Sequence, residues 1–163
     1  MSSNRRHLDS SKATELYEQG EREWARGRLR SAFLSFLSAA EAGNVPSLFI
    51  LSHFYDDGIG AQADHSKALF WYERAYRKGS GSAANNAGVI WRDRGDTAAA
   101  LLWFKRAAKM GDNDANLNIA KVYLKTDKKD RAVSYLEQTL LGEVTEGSKQ
   151  EARELLKTVG RRT

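Results

Sequence analysis

Four stretches of this sequence superimpose on one another, and that internal repetition narrows the fold more than any other feature. They begin at Ala32, Ala68, Ala100 and Ala132, at steps of 36, 32 and 32 residues. In the second stretch Ala68, Trp71, Tyr72 and Ala75 recur at i, i+3, i+4 and i+7. In the third the same positions hold Ala100, Trp103, Phe104 and Ala107, and Phe36 takes the ring position of the first. That spacing is one face of a helix. Its small residues admit a neighbouring helix and its rings fill the space between, so Trp71 and Trp103 are expected to be equivalent, largely buried core residues. Gly43, Gly79 and Gly111 close the first three stretches at one offset, and Gly142 closes the fourth a residue early. Such a glycine supplies the left-handed conformation that ends helices.

A second helix precedes each of these. In the same register Gly20, Ser52, Gly88 and Ala120 align, small residues that mark close helix crossings. Three residues further on lie Glu23, Tyr55, Trp91 and Tyr123. The turns inside three of the pairs are short: Arg26-Gly27-Arg28, Arg94-Gly95-Asp96 and Thr126-Asp127-Lys128. The second pair instead has a turn four residues longer, through Gly58-Ile59-Gly60 to Asp64, which accounts for its longer step. Pro46, the chain's single proline, stands where the next helix should begin, a first-turn site that proline tolerates. From Ser148 to Val159, Ala152, Leu155, Leu156 and Val159 share one helical face against a charged one, the pattern of a helix that caps a repeat array. No strand-length segment of alternating polarity competes with this reading.

The hairpins resemble tetratricopeptide repeats: a first helix, a turn, then an Ala-x-x-aromatic-aromatic-x-x-Ala helix closed by glycine. The second copy, Leu51-Ser52-His53-Phe54-Tyr55 through Gly58-Ile59-Gly60 to Asp64, then Lys67-Ala68 and Trp71-Tyr72, resembles the Sel-one-like repeat family, with Ser52 in place of that family's usual glycine. The resemblance covers about residues 13–142. It implies an all-α fold: a right-handed α-α superhelix, or solenoid, of four helical hairpins plus a C-terminal capping helix. Residues 13–159 then form the repeat domain, between a flexible N-terminal tail at 1–12 and a C-terminal tail at 160–163.

With 41% hydrophobic and 29% charged residues, the sequence is that of a globular chain and not of a disordered one. It contains no cysteine, which excludes disulfides and thiolate metal sites. No apolar stretch approaches a membrane span, and Arg5-Arg6 is not followed by the apolar segment of an export signal. A cytoplasmic location is expected. The histidines, His7, His53 and His65, do not show the i+3 or i+4 spacing of a metal motif. Asp56-Asp57-Gly58-Ile59-Gly60 lacks the alternating acids and closing glutamate of a calcium loop, and Gly58-x-Gly60 lacks the lysine-serine pair of a phosphate loop. No enzyme activity, metal or cofactor is expected.

Basic clusters occur at Arg74-Arg77-Lys78, Lys105-Arg106-Lys109 and from Lys121 to Arg131. With a net charge of only +5 they read as a solvated face before a nucleic-acid surface. In tetratricopeptide-like arrays the first helices line the concave side. On that analogy the groove positions are Tyr17, Glu21 and Trp24; Phe49, His53 and Asp56; Asn85, Val89 and Arg92; and Leu117, Lys121 and Leu124. Asn85, Arg92, Lys121 and Lys125 resemble in type the asparagine and basic residues with which carboxylate-clamp relatives hold an acidic peptide end. The competing reading is an ordinary polar groove wall. The candidate binding residues are therefore Tyr17, Trp24, Phe49, His53, Asn85, Arg92, Lys121 and Lys125. The function they suggest is a non-catalytic adaptor or scaffold of bacterial type that binds a peptide or partner domain, an acidic one if the clamp likeness holds. The alternatives are an immunity protein that neutralises a toxin by direct binding, which neighbouring genes would reveal, and a nucleic-acid binder using the basic outer face.

Overall fold

A computed structural model of the chain describes residues 2–160, with side chains from residue 11 onward. The described residues form helices and turns with no strand. The helices are α1 (Ser2–Ala25), α2 (Leu29–Glu41), α3 (Val45–Asp57), α4 (His65–Arg77), α5 (Gly81–Asp93), α6 (Thr97–Lys109), α7 (Asp114–Lys125), α8 (Lys129–Leu141) and α9 (Glu146–Gly160). The backbone is already helical from Ser2, within the segment expected to be a tail. Of the expected C-terminal tail, residues 161–163 lie outside the described residues.

The chain divides after Gly79 into two compact units. In the first, α1 pairs with α2 and α3 with α4, and α2 also lies against α3. In the second, α5 pairs with α6 and α7 with α8; α6 meets α7, and α9 closes over α8 and touches α7. Local chemistry sets the helix starts. Side-chain oxygens accept from first-turn N–H groups at Asn44 (Ser47, 2.9 Å), Asp64 (Ser66 and Lys67, both 3.0 Å), Ser80 (Ala83, 3.1 Å) and Asp96 (Ala99, 2.9 Å). Each satisfies donors that a helix N-terminus leaves open.

At the crossings the small residues do what the alignment implies. A Cβ added to Gly20 would sit 2.7 Å from the Phe36 ring, and one added to Gly88 would sit 2.5 Å from Phe104. Phe36 and Phe104 are both fully buried. In the fourth hairpin Ala120 shares a cluster with Leu136 and the capping helix's Ala152, and Leu155 and Leu156 pack against that cluster. A larger residue on one helix is thus matched by a smaller one on the other: glycine under phenylalanine, alanine beside leucine.

Two expectations are corrected. Trp71 is buried, but Trp103, its aligned partner, is only half-buried. Both indoles lie under an arginine of their own helix, Arg74 at 4.8 Å and Arg106 at 4.7 Å, so that shared contact does not account for the difference in burial. Gly43, Gly79 and Gly111 are left-handed as expected, but Gly142 is extended, with φ −79°. A Cβ there would lie 3.0 Å from the Asn113 side chain, a tight contact that a shift of a few tenths of an ångström in that side chain would relieve.

Candidate functional site

The predicted site residues divide between the two units. In the first unit, Tyr17 and Trp24 lie on α1, and Phe49 and His53 on α3. Trp24 stands edge-on to Phe54 at 5.3 Å and to Phe36 at 6.1 Å, yet remains 42% exposed. Two buried rings therefore fix its indole while part of it faces solvent. Tyr17 packs on the same Phe36 at 5.7 Å. Burial, then the charge and hydrogen bond of Glu21, push its phenol above the ordinary value. A shallow depression beside Trp24 is bounded by Glu21, Arg22 and Ala25.

The α3 members form a second, polar group. The Phe49 ring meets His53 at 4.7 Å and Tyr72 at 6.2 Å. The Tyr72 hydroxyl donates to Asp56 at 3.2 Å and lies 3.4 Å from His53 Nδ1. His65, from the first turn of α4, stands 3.7 Å from Asp56, and His53 stands 3.9 Å from Asp57. Burial raises the Asp56 carboxyl above its usual range; the Tyr72 hydrogen bond and the charges of His65 and His53 work against that rise, and Asp57 adds to it. The contacts of the Tyr72 hydroxyl with Asp56 and His53 tie the end of α3 to α4. Among the described residues no three side chains converge in a way that could hold a metal ion.

In the second unit Asn85 Oδ1 accepts from Asn118 Nδ2 at 2.9 Å, joining α5 to α7. Arg92 pairs with its neighbour Asp93 at 2.9 Å, and Lys121 pairs with Glu151 of α9 at 2.7 Å. Lys125 is exposed. Leu117, placed on the open face by the alignment, is buried against the capping helix. The cations proposed for a clamp are thus largely engaged with this chain's own carboxylates. Sequence reasoning missed Asn118 and Glu151. Asn118 carried a signal, since it aligns with Asn86 one repeat earlier. Glu151 carried none, because α9 lies outside the repeat register.

Cations also cover the aligned rings of the first helices. Lys67 lies 5.4 Å over Tyr55, Arg94 5.3 Å over Trp91, and Arg131 5.8 Å over Tyr123. In the first copy Glu23 replaces the ring, and Arg26 and Arg28 approach its carboxylate at 3.4 and 3.3 Å. For Tyr123, burial acts to raise the phenol, but hydrogen bonds and charge from Lys105 and Arg131 together outweigh it and hold it below its ordinary value. Much of the basic clustering is therefore part of the fold. No helix among the described residues is long and apolar enough to cross a membrane.

Residues 45–80 match the model of the Sel1 repeat and residues 81–111 that of a tetratricopeptide repeat. No curated protein matches the chain. Among solved structures it is similar to a Sel1 repeat protein from Oxalobacter formigenes, with 23% identity over 81% of this chain and 59% of that one, at a TM-score of 0.67. It is also similar to c5321, described as a protective antigen of uropathogenic Escherichia coli with an SLR fold, with 25% identity over 83% of this chain and 32% of that one, at a TM-score of 0.70. A third likeness is YrrB, described as a TPR protein with an unusual peptide-binding site, at 22% identity, 91% and 77% coverage and a TM-score of 0.63. The chain spans under two thirds of the length of the first two. Repeats of both kinds are typically non-catalytic protein-interaction modules. The fold and these matches together identify the chain as a helical-repeat protein carrying a Sel1 repeat at 45–80 and a tetratricopeptide repeat at 81–111.

Proposed function

We propose that this protein is a binding module, adaptor or scaffold in role, that takes a peptide or partner domain on the first helices of the hairpins in its first unit, α1 and α3, with Trp24 as the main anchor. The observation that supports this is the state of Trp24: two buried rings hold it edge-on, yet it is 42% exposed. An indole fixed in place before binding loses little rotamer freedom on contact, and tryptophan is over-represented among residues that dominate interface energy. Tyr17 and, on α3, Phe49 and His53 extend the aromatic character of these helices. The second unit offers cations of its own, Arg92, Lys121 and Lys125, which would take acidic groups independently of Trp24, Arg92 and Lys121 by exchanging the carboxylates of Asp93 and Glu151 for those of a ligand.

The test begins with peptides selected on the whole chain from a random display library. Trp24→Ala should weaken the best of them at least tenfold while the circular dichroism spectrum stays helical. Lys105→Glu with Lys109→Glu, on exposed positions of α6, should change affinity less than twofold. Normal binding by Trp24→Ala, with loss in the α6 variant, would sink the proposal.

A further inference from the structure

A recess of about 270 Å³ lies within the first unit, away from the residues assigned above. Ala40, Gly43 and Leu48 supply its apolar part, from the end of α2 and the start of α3. Arg74, Arg77 and Lys78, at the end of α4, supply three cations. Basic residues in a last helical turn commonly do no more than complement the helix dipole. Two observations go beyond that here. The cations border a cavity. In the repeat register the triple also occurs once only: the aligned positions hold Ser38, Glu41 and Ala42 in the first copy, Arg106, Lys109 and Met110 in the third, and Gln138, Leu141 and Gly142 in the fourth.

The cations are held in ways that suit ligand capture. Arg74 is laid over the Trp71 ring at 4.8 Å, which fixes its guanidinium without using its hydrogen-bonding edge. Arg77 bonds Glu73 at 2.6 Å, an exposed pair of the kind that contributes little and is readily exchanged. Among the described residues Glu73 is the one carboxylate that an ion pair ties to these three cations, so they outnumber their partner. The recess is smaller than the roughly 300–1,000 Å³ of small-molecule sites, so its occupant is of side-chain size.

We propose that this recess docks an acidic protein segment, one apolar side chain lying on Ala40 and Leu48 while neighbouring carboxylates meet Arg77 and Lys78. The probe is a labelled heptapeptide with one central leucine among six glutamates, titrated against the full chain at low salt. Arg77→Glu with Lys78→Glu should weaken it at least tenfold. Lys105→Glu with Lys109→Glu, the same charge change on α6, should weaken it less than threefold. Replacing the probe's leucine with serine should weaken wild-type binding severalfold. The proposal is overturned if the wild type does not bind the probe, if both double variants lose affinity equally, or if the serine probe binds as well as the leucine one. It is equally overturned if a ten-nucleotide RNA binds more tightly and is lost in the Arg77/Lys78 variant. Retained helical dichroism in both variants excludes misfolding as the cause, and Trp24→Ala, which leaves the recess intact, should bind the probe normally.

Discussion

The second and third hairpins, α3–α4 and α5–α6, share one register and solve the same crossing differently. In the third, Gly88 lets the Phe104 ring approach closely, and the contact is wholly apolar. In the second, Ser52 stands in place of the glycine and returns its hydroxyl to the Leu48 carbonyl at 2.7 Å. The ring aligned with Phe104 is Tyr72, also fully buried, whose hydroxyl reaches Asp56 and lies beside His53. The aligned positions in the third hairpin hold Arg92 and Val89, neither of which can accept that hydrogen bond. The second hairpin also has the longer turn, and Gly60 in it is obligatory on two counts. Its φ is +66°, and a Cβ would fall 2.2 Å from the Leu29 carbonyl oxygen of the preceding hairpin. One repeat framework thus carries a crossing set by volume and another set by a polar network, which differ in what disturbs them.

The largest effect is expected where volume alone is at stake. Phe104→Ala removes a fully buried ring and should cost about 3–5 kcal/mol in urea denaturation, the range for large core aromatics. A cost under ~1 kcal/mol would mean that the crossing collapses without loss, and that the ring is not what spaces α5 from α6.

Gly88→Ala tests the same crossing from its other side. Its methyl would meet the Phe104 ring at 2.5 Å, so overpacking of about 1–3 kcal/mol is expected. Adding Phe104→Leu should restore part of that loss, because the fourth hairpin already places Ala120 in one cluster with Leu136. A double-mutant cycle reads the coupling directly. Additive losses would show that the glycine-with-ring and alanine-with-leucine pairings are not interchangeable solutions.

The repeat register was legible because it is written twice, in period and in residue size: Gly20 and Gly88, aligned as small residues at helix crossings, meet Phe36 and Phe104, which also align. Positions with identical local patterns can still differ in burial, since what covers a helix's outer face lies outside its own sequence. Trp71 and Trp103 show this. Asp127 makes the converse point. It adopts φ +54° where the first and third copies have Gly27 and Gly95, so the turn geometry outlasted the residue that signals it. In the candidate site, residue types were legible and partners were not. Lys121 reads as a ligand-binding cation until α9, with no repeat partner to align against, brings Glu151 to it. Trp24 falls among the groove positions of the alignment, which does not show that Phe36 and Phe54 hold its edge.

The smallest effect should come from removing one oxygen. Tyr72→Phe converts the second crossing toward the chemistry of the third, keeping the ring and deleting the bond to Asp56. At neutral pH the loss should be about 1 kcal/mol, the net value of one hydrogen bond. Its pH dependence follows from the sign of the Asp56 shift. Burial raises that carboxyl above its ordinary value, so the folded state favours the protonated form. The stability contributed by this group is present below the ordinary carboxylate pKa and declines as pH rises through the raised folded value. The Tyr72 hydroxyl opposes the rise by donating to the carboxylate. Without it, Asp56 should titrate higher still, and the variant should lose more stability than the wild type above that range than below it. The difference between Tyr72→Phe and wild type, followed by urea denaturation from pH 7.5 to pH 3.5, should therefore shrink toward acid. Repeating the series on Asp56→Asn should leave the cost of Tyr72→Phe flat with pH. If it still shrank toward acid there, the hydroxyl would be acting through another group, and the two hairpins would differ for some reason other than the Tyr72–Asp56 bond.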